Sequence, residues 1–237
     1  NATLSTESAG TSNLTLGVNA GNSIVSGGVQ NTVVGDEAGT ALTTGNSNVA
    51  VGYAALTADT LGDRNVAVGV GALIAQNFTS TTDAYNTAVG YRSGAAVTTG
   101  TINTFIGGLA GDALTTGNSN VAVGYSALSA DTKGDRSTAI GMQALALQNF
   151  TTNTDAYNTA MGYNAGYSVT TGVQNTLIGG LAGDAITDAD YNTAVGMYSL
   201  SQNTLGSKNT ALGYAALSAF NVTSAADTYN TAVGSGA

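Results

Sequence analysis

A chain of 237 residues with no Cys, His, Pro or Trp cannot form a disulfide, a thiolate site or an imidazole ligand, and cannot run His-based acid–base chemistry. Charged residues are 8% of the total, 14 acidic against 5 basic, for a net charge of −9. The basic residues (Arg64, Arg92, Lys133, Arg136 and Lys208) are scattered, which argues against nucleic acid as a partner, and no run of 18 apolar residues supports membrane insertion.

In chain order, Asn1-Ala2-Thr3-Leu4-Ser5 reads as a degenerate copy of a phrase that then recurs thirteen times, Asn-(Thr/Val)-(small)-(Val/Ile/Leu/Met)-Gly. Its closing glycines are Gly17, Gly35, Gly52, Gly69, Gly90, Gly107, Gly124, Gly141, Gly162, Gly179, Gly196, Gly213 and Gly234. After a first spacing of 18, they fall 17, 17 and 21 apart, then twice repeat 17, 17, 17, 21. A unit of about 17 residues thus sits inside a four-unit block of 72. Fixed periods of this kind predict a solenoid, in which each unit buries its apolar side only against its neighbours. The expectation is one all-β domain over residues 1–237, a parallel β-solenoid of about 13 coils, with blocks at approximately 18–90, 91–162 and 163–234. The apolar positions keep strict register, which a disordered low-complexity tract has no reason to do. Asn at position 1, with no signal-peptide pattern behind it, is what a processed form or an excised piece of a longer protein presents.

The phrase itself points to a strand. In Asn120-Val121-Ala122-Val123-Gly124, Val121 and Val123 share one face and Ala122 takes the other. β-branched residues at alternate sites favour strands, and Gly inside every phrase disfavours a helix. The small third position implies close approach on its side. The closing Gly fits a corner with positive φ; Gly52, Gly69, Gly90, Gly107, Gly124, Gly141, Gly162, Gly179, Gly196 and Gly213 are the predicted structural corners. A weaker half follows, such as Tyr125-Ser126-Ala127-Leu128, and then a turn, so each coil is expected to hold two short strands and two turns. Stacked at about 4.8 Å, thirteen coils would make a rod of roughly 60 Å. Asn opens twelve of the thirteen phrases, Ser137 being the exception, and stacked Asn side chains are expected to form an amide ladder.

Residues 112–136 match residues 40–64 at 21 of 25 positions, so the four coil types are distinct and ordered. One carries Gly-Gly-Leu-Ala-Gly-Asp (Gly107 to Asp112, Gly179 to Asp184). Another ends in a longer loop, residues 74–85, 146–157 and 218–229, expected to protrude every fourth coil. That loop holds Asn77-Phe78-Thr79, Asn149-Phe150-Thr151 and Asn221-Val222-Thr223, three sequons that make Asn77, Asn149 and Asn221 candidate glycosylation sites. It ends in Asp83-Ala84-Tyr85, Asp155-Ala156-Tyr157 and Asp227-Thr228-Tyr229, where Asp suits a turn and Tyr could cover the coil edge. Asp59 with Asp63, and Asp131 with Asp135, are the nearest approach to a calcium site. Calcium wants six to eight oxygens, however, and the third block reads Gln202-Asn203-Thr204-Leu205-Gly206-Ser207 instead.

The phrases Asn86-Thr87-Ala88-Val89-Gly90-Tyr91 and Ser137-Thr138-Ala139-Ile140-Gly141 resemble the head repeats of trimeric autotransporter adhesins and the Asn-Thr-Ala-Val-Gly-Tyr arrays of phage tail and surface fibres. The resemblance covers essentially the whole chain. It implies a left-handed β-roll that trimerises, an extracellular, cell-surface or virion location, and attachment to a glycan or receptor. Neck, coiled-coil stalk, membrane anchor and chaperone domain are absent from the sequence.

The leading functional expectation is a non-enzymatic structural rod. The alternative is a filament whose subunits stack end to end through open solenoid edges. Ice binding needs a regular Thr-X-Thr face, whereas Thr43, Thr98, Thr115 and Thr170 sit in turns only. No phosphate loop, nucleophile elbow or metal triad is present, so no catalytic, cofactor or metal residues are predicted.

Overall fold

The computed structural model describes the backbone of Leu4–Ser5 and all of residues 10–237. Its contacts group into two compact units, Asn1–Asn118 and Ser119–Ala237. Both are parallel β-solenoids, and no helix occurs among the described residues. The first unit stacks Leu14–Leu16, Thr32–Val34, Val49–Val51, Val66–Val68, Thr87–Val89 and Thr104–Ile106. The second stacks Val121–Val123, Thr138–Ile140, Thr159–Met161, Thr176–Ile178, Thr193–Val195, Thr210–Leu212 and Thr231–Val233. Each is the central tripeptide of one phrase. Register follows the repeat: Val49, Ala50 and Val51 face Val66, Ala67 and Val68.

The third position of the phrase points inward. Ala50, Ala67, Ala88, Ala122, Ala139, Ala160, Ala194 and Ala211 have no exposed surface. The second and fourth positions are half-buried or exposed on the outside. The residue across the interior completes the volume. Where the third position is Ala, the opposite wall usually supplies a buried leucine: Leu56, Leu73, Leu128, Leu145 or Leu200. Where it is Phe105, a Cβ on Gly94 or Gly111 would strike the ring. Where it is Leu177, Gly166 and Gly183 stand in the same relation. Interiors hold native density only if facing volumes sum to a constant. That explains the Gly-Gly-Leu-Ala-Gly-Asp signature: its inner glycine makes room for Phe105 or Leu177.

The second half of each coil differs from the expected second strand. It is a run of turns, with backbone N–H groups bonding alternately within the coil and to its neighbour. Ala38 N–H donates to Gly35 C=O at 3.2 Å, whereas Gly39 N–H donates to Ala55 C=O at 2.9 Å. Ala54 and Leu56, at φ +54° and +52°, sit in the left-handed region and break the extended path. Among the described residues, a second two-residue strand within the coil appears only beside the long loops: Gly62–Asp63 pairs with Thr82–Asp83, Gly134–Asp135 with Thr154–Asp155, and Gly206–Ser207 with Ala226–Asp227.

These pairings also correct the picture of a freely protruding loop. Phe78 and Phe150 are each 5% exposed and Ala84 and Ala156 are buried, so the first two loops are anchored on either side of exposed tips at residues 79–81 and 151–153, while residues 223–227 of the third loop are exposed throughout. The start of the chain departs from expectation too. Residues 1–3 lie outside the described residues, but Leu4–Ser5 pairs antiparallel with Leu14–Leu16, Leu4 opposite Leu16. It is a reversed strand on the first coil rather than a degenerate coil.

Candidate functional site

The interior is occupied by structural polar groups. The phrase asparagines form the expected ladder. Asn48 Oδ1 accepts from the backbone N–H of Asn65 at 2.9 Å, and Asn48 Nδ2 donates to Gly62 C=O at 2.8 Å. The pattern recurs from Asn31 on Asn13 to Asn230 on Asn209. Each bond satisfies a buried amide that would otherwise be costly. At Ser137 a glutamine fills in: Gln148 Nε2 donates to Ser137 Oγ at 2.9 Å, and its Oε1 accepts from Asn158 Nδ2 at 2.8 Å.

Asp59 and Asp63, in the nearest approach to a calcium site, each serve separate hydrogen-bond donors. Asp59 is fully buried and accepts from Gln76 Nε2 at 2.7 Å and Gly62 N–H at 3.1 Å. Asp63 Oδ1 accepts from Asn46 N–H at 2.7 Å. Asp131 repeats the Asp59 arrangement with Gln148 at 2.6 Å. Burial pushes both the Asp59 and Asp131 carboxyls above the ordinary value, against the pull of these donors. In the third block both partners change together, to Asn203 and Phe220, and Asn203 closes its own turn through Gly206. Among the described residues no three acidic side chains gather as a metal site. Asp112 and Asp184, in the Gly-Gly-Leu-Ala-Gly-Asp coils, are half-buried and also raised by desolvation; Arg92 opposes the shift at Asp112 only.

The corner glycines share one geometry. Their φ values lie between +128° and +140°, a region nearly closed to other residues. A Cβ on Gly162 would lie 2.6 Å from the carbonyl of Gly179 in the next coil. The backbone stacks glycine on glycine with no room for a methyl.

Chemistry for partners is left to the outer surface, which runs in columns because the coils are in register. The fourth position and the residue after the closing Gly form an apolar stripe. In the first unit it includes Tyr53, Val70, Val89, Tyr91 and Ile106; in the second, Tyr125, Met142, Met161, Tyr163, Met197, Leu212 and Tyr214. All are at least 36% exposed. The small third position faces the interior, so the close approach on its side is to the opposite wall of the coil and it makes no surface for a neighbouring chain.

A second column is formed by the residue before each phrase. It sits in the left-handed region throughout, with Arg64, Tyr85 and Ile102 in the first unit. In the second unit the column reads Ser119, Arg136, Tyr157, Gln174, Tyr191, Lys208, Tyr229. Arg64 pairs with Asp83 and lies 5.6 Å from the Tyr85 ring centre. Arg136 repeats this with Asp155 and Tyr157, and Lys208 with Asp227 and Tyr229. The Lys208–Asp227 hydrogen bond, at 2.6 Å, raises the lysine and lowers the aspartate from their ordinary values. These tyrosines do not cover the coil edge: Tyr85 and Tyr157 are about half exposed and Tyr229 more so.

The sequon residues Asn77, Asn149 and Asn221 lie at the surface, and each Oδ1 accepts a hydrogen bond from a threonine hydroxyl one coil earlier, Thr60, Thr132 and Thr204. Thr43 and Thr98 likewise donate their hydroxyls to carbonyls of the next coil, which occupies the groups an ice-binding face would present. No protein-family model, curated protein or solved structure matches the chain.

Proposed function

We propose that the chain is a non-enzymatic structural segment of an extracellular, cell-surface or virion fibre, assembled as a homotrimer and serving to project a tip or mediate attachment. The observation that carries this reading is the apolar stripe on the outer face of both solenoids. Single exposed apolar residues are ordinary, but a continuous apolar column is a surface awaiting a partner. A repeat that offers the same stripe coil after coil suits a cyclic assembly of identical chains. Many weak contacts along such an assembly give avidity for a surface receptor. The resemblance to adhesin heads and tail-fibre arrays points the same way.

End-to-end stacking into a filament is the less favoured reading. It needs coils that continue in parallel across the junction, and the first coil instead carries an antiparallel strand, Leu4–Ser5, on Leu14–Leu16. Electron microscopy of the purified chain tests the choice. Discrete particles of uniform length support the fibre segment; indefinitely long fibres overturn it in favour of the filament.

A further inference from the structure

The column preceding the phrases has an odd composition for its backbone. Left-handed corners favour Gly, Asn or Asp, and bulky side chains there are outliers. Yet Tyr157, Tyr191 and Tyr229 sit at φ +49°, +58° and +51°, and their exposures are 50%, 49% and 67%. Arg136 and Lys208 lie against the Tyr157 and Tyr229 rings, yet about half or more of each tyrosine is left in solvent. The left-handed backbone belongs to this position in every coil, whatever the residue; what sets the tyrosines apart is a large ring kept half in solvent, which suits contact with a partner.

The neighbours along the column narrow the chemistry. Backbone bonds between consecutive corners (Gln174 N–H to Ala156 C=O, Tyr191 N–H to Val173 C=O, Lys208 N–H to Asp190 C=O) hold the coils in register. The tyrosines therefore recur every second coil, about 9.6 Å apart at a strand spacing of ~4.8 Å. Between and beside them stand Gln174, Lys208 and Arg136, with Asp155 and Asp227 bound to the two cations. Aromatic faces alternating with amide, carboxylate and cationic hydrogen-bonding groups match a sugar chain, whose rings offer C–H faces to stack and hydroxyls to bond. The two-coil spacing is close to the disaccharide length of an extended β-1,4-linked glycan. Both cations are already neutralised by carboxylates, and the chain carries −9 overall, which repels a polyanion.

We propose that Tyr157, Tyr191 and Tyr229, with Gln174 and Lys208 between them, form a binding row for an extended, uncharged β-linked glycan lying along the solenoid. The row names the ligand class for the attachment role above and rests on that reading. Threonines such as Thr176 and Thr193 at the second phrase position separate it from the apolar stripe, so trimer contact and glycan contact use different columns.

Isothermal titration of the purified chain with chitohexaose, cellohexaose and, as a curled α-linked control, maltohexaose tests the proposal. Expected is saturable binding of at least one β-linked hexasaccharide and none of maltohexaose. Tyr191→Asn alone should weaken binding roughly tenfold, the size of one stacking contact. Tyr157→Asn, Tyr191→Asn and Tyr229→Asn together should abolish it. Asn suits the left-handed corner, which offsets the lost cation contacts at Tyr157 and Tyr229, so the triple variant should melt within a few degrees of the native chain. No saturable binding, equal binding of maltohexaose, or full binding by the triple variant overturns the proposal. If the triple variant instead changes the sedimented mass and no sugar binds, the row is a subunit contact; the glycan assignment then fails while the fibre reading stands. Tyrosine-dependent binding by a chain that sediments as a monomer would keep the glycan row and remove the trimer.

Discussion

Replacing Gly179 with Ala adds one methyl group at the point where consecutive coils touch most closely. Gly179 has φ +131°, and a Cβ there would lie 2.6 Å from the carbonyl carbon and 2.7 Å from the carbonyl oxygen of Gly196. Two costs add. The backbone conformation disfavours an L side chain by about 1–3 kcal/mol. Relieving the clash requires the next coil to move by roughly 1 Å, an overpacking term of about 1–3 kcal/mol. The sum, about 4 kcal/mol, corresponds to a fall in melting temperature of roughly 10 °C for a chain of this size. Gly71→Ala is the control. It also has positive φ, at +66°, but its nearest neighbour would be Arg92 Cγ at 3.6 Å, so only the left-handed term of about 1 kcal/mol applies. Thermal melting followed by circular dichroism compares the two. A Gly179→Ala chain that melts within a degree or two of Gly71→Ala would refute close coil stacking at the glycine column.

Phe105→Ala should destabilise by about 3–5 kcal/mol through the cavity it leaves, and adding Gly111→Leu should recover much of the loss by recreating the Ala50 and Leu56 pairing; a double variant no more stable than the single one contradicts volume exchange across the coil. Asp59→Asn with Asp131→Asn, the residue that the third block carries as Asn203, should change the pH dependence of stability. Both native carboxyls lie above the ordinary 3.8, so the folded state holds protons that the unfolded chain releases. The native chain therefore gains stability relative to the variant as pH falls through the folded values toward 3.8, and shows no such slope above them. Parallel melting-temperature curves from pH 7 to pH 4 would contradict the assignment.

The strand tripeptides, the glycine corners and the asparagine ladder were legible because each depends on residue type at a fixed period. Asn48 and Asn65 occupy equivalent places, and an amide side chain is long enough to donate to one carbonyl and accept from the next coil's N–H at once. Which face of the strand is buried was not legible. Alternation in Val49-Ala50-Val51 separates two faces, but apolar Val on one side and Ala on the other leaves the choice open. The coil decides it, because its interior must also hold Leu56 from the opposite wall and has room for no more than a methyl beside it. The second half of each coil misled for a related reason. Leu56, Leu73 and Tyr85 are not turn residues by type, yet all adopt positive φ because coil closure overrides local preference. Sequence reasoning noticed the tyrosines at the ends of the long loops but not the column that joins them to Gln174, Tyr191 and Lys208. Only the register between coils brings those residues into line.

The trimer reading is tested most directly by sedimentation equilibrium of the purified chain at micromolar concentration. A homotrimer should sediment at three times the 23.2 kDa of one chain, falling to a single chain when Met161, Met197 and Leu212 of the apolar stripe are changed to Lys. A native chain that sediments at 23.2 kDa, with its apolar stripe open to solvent, would contradict it.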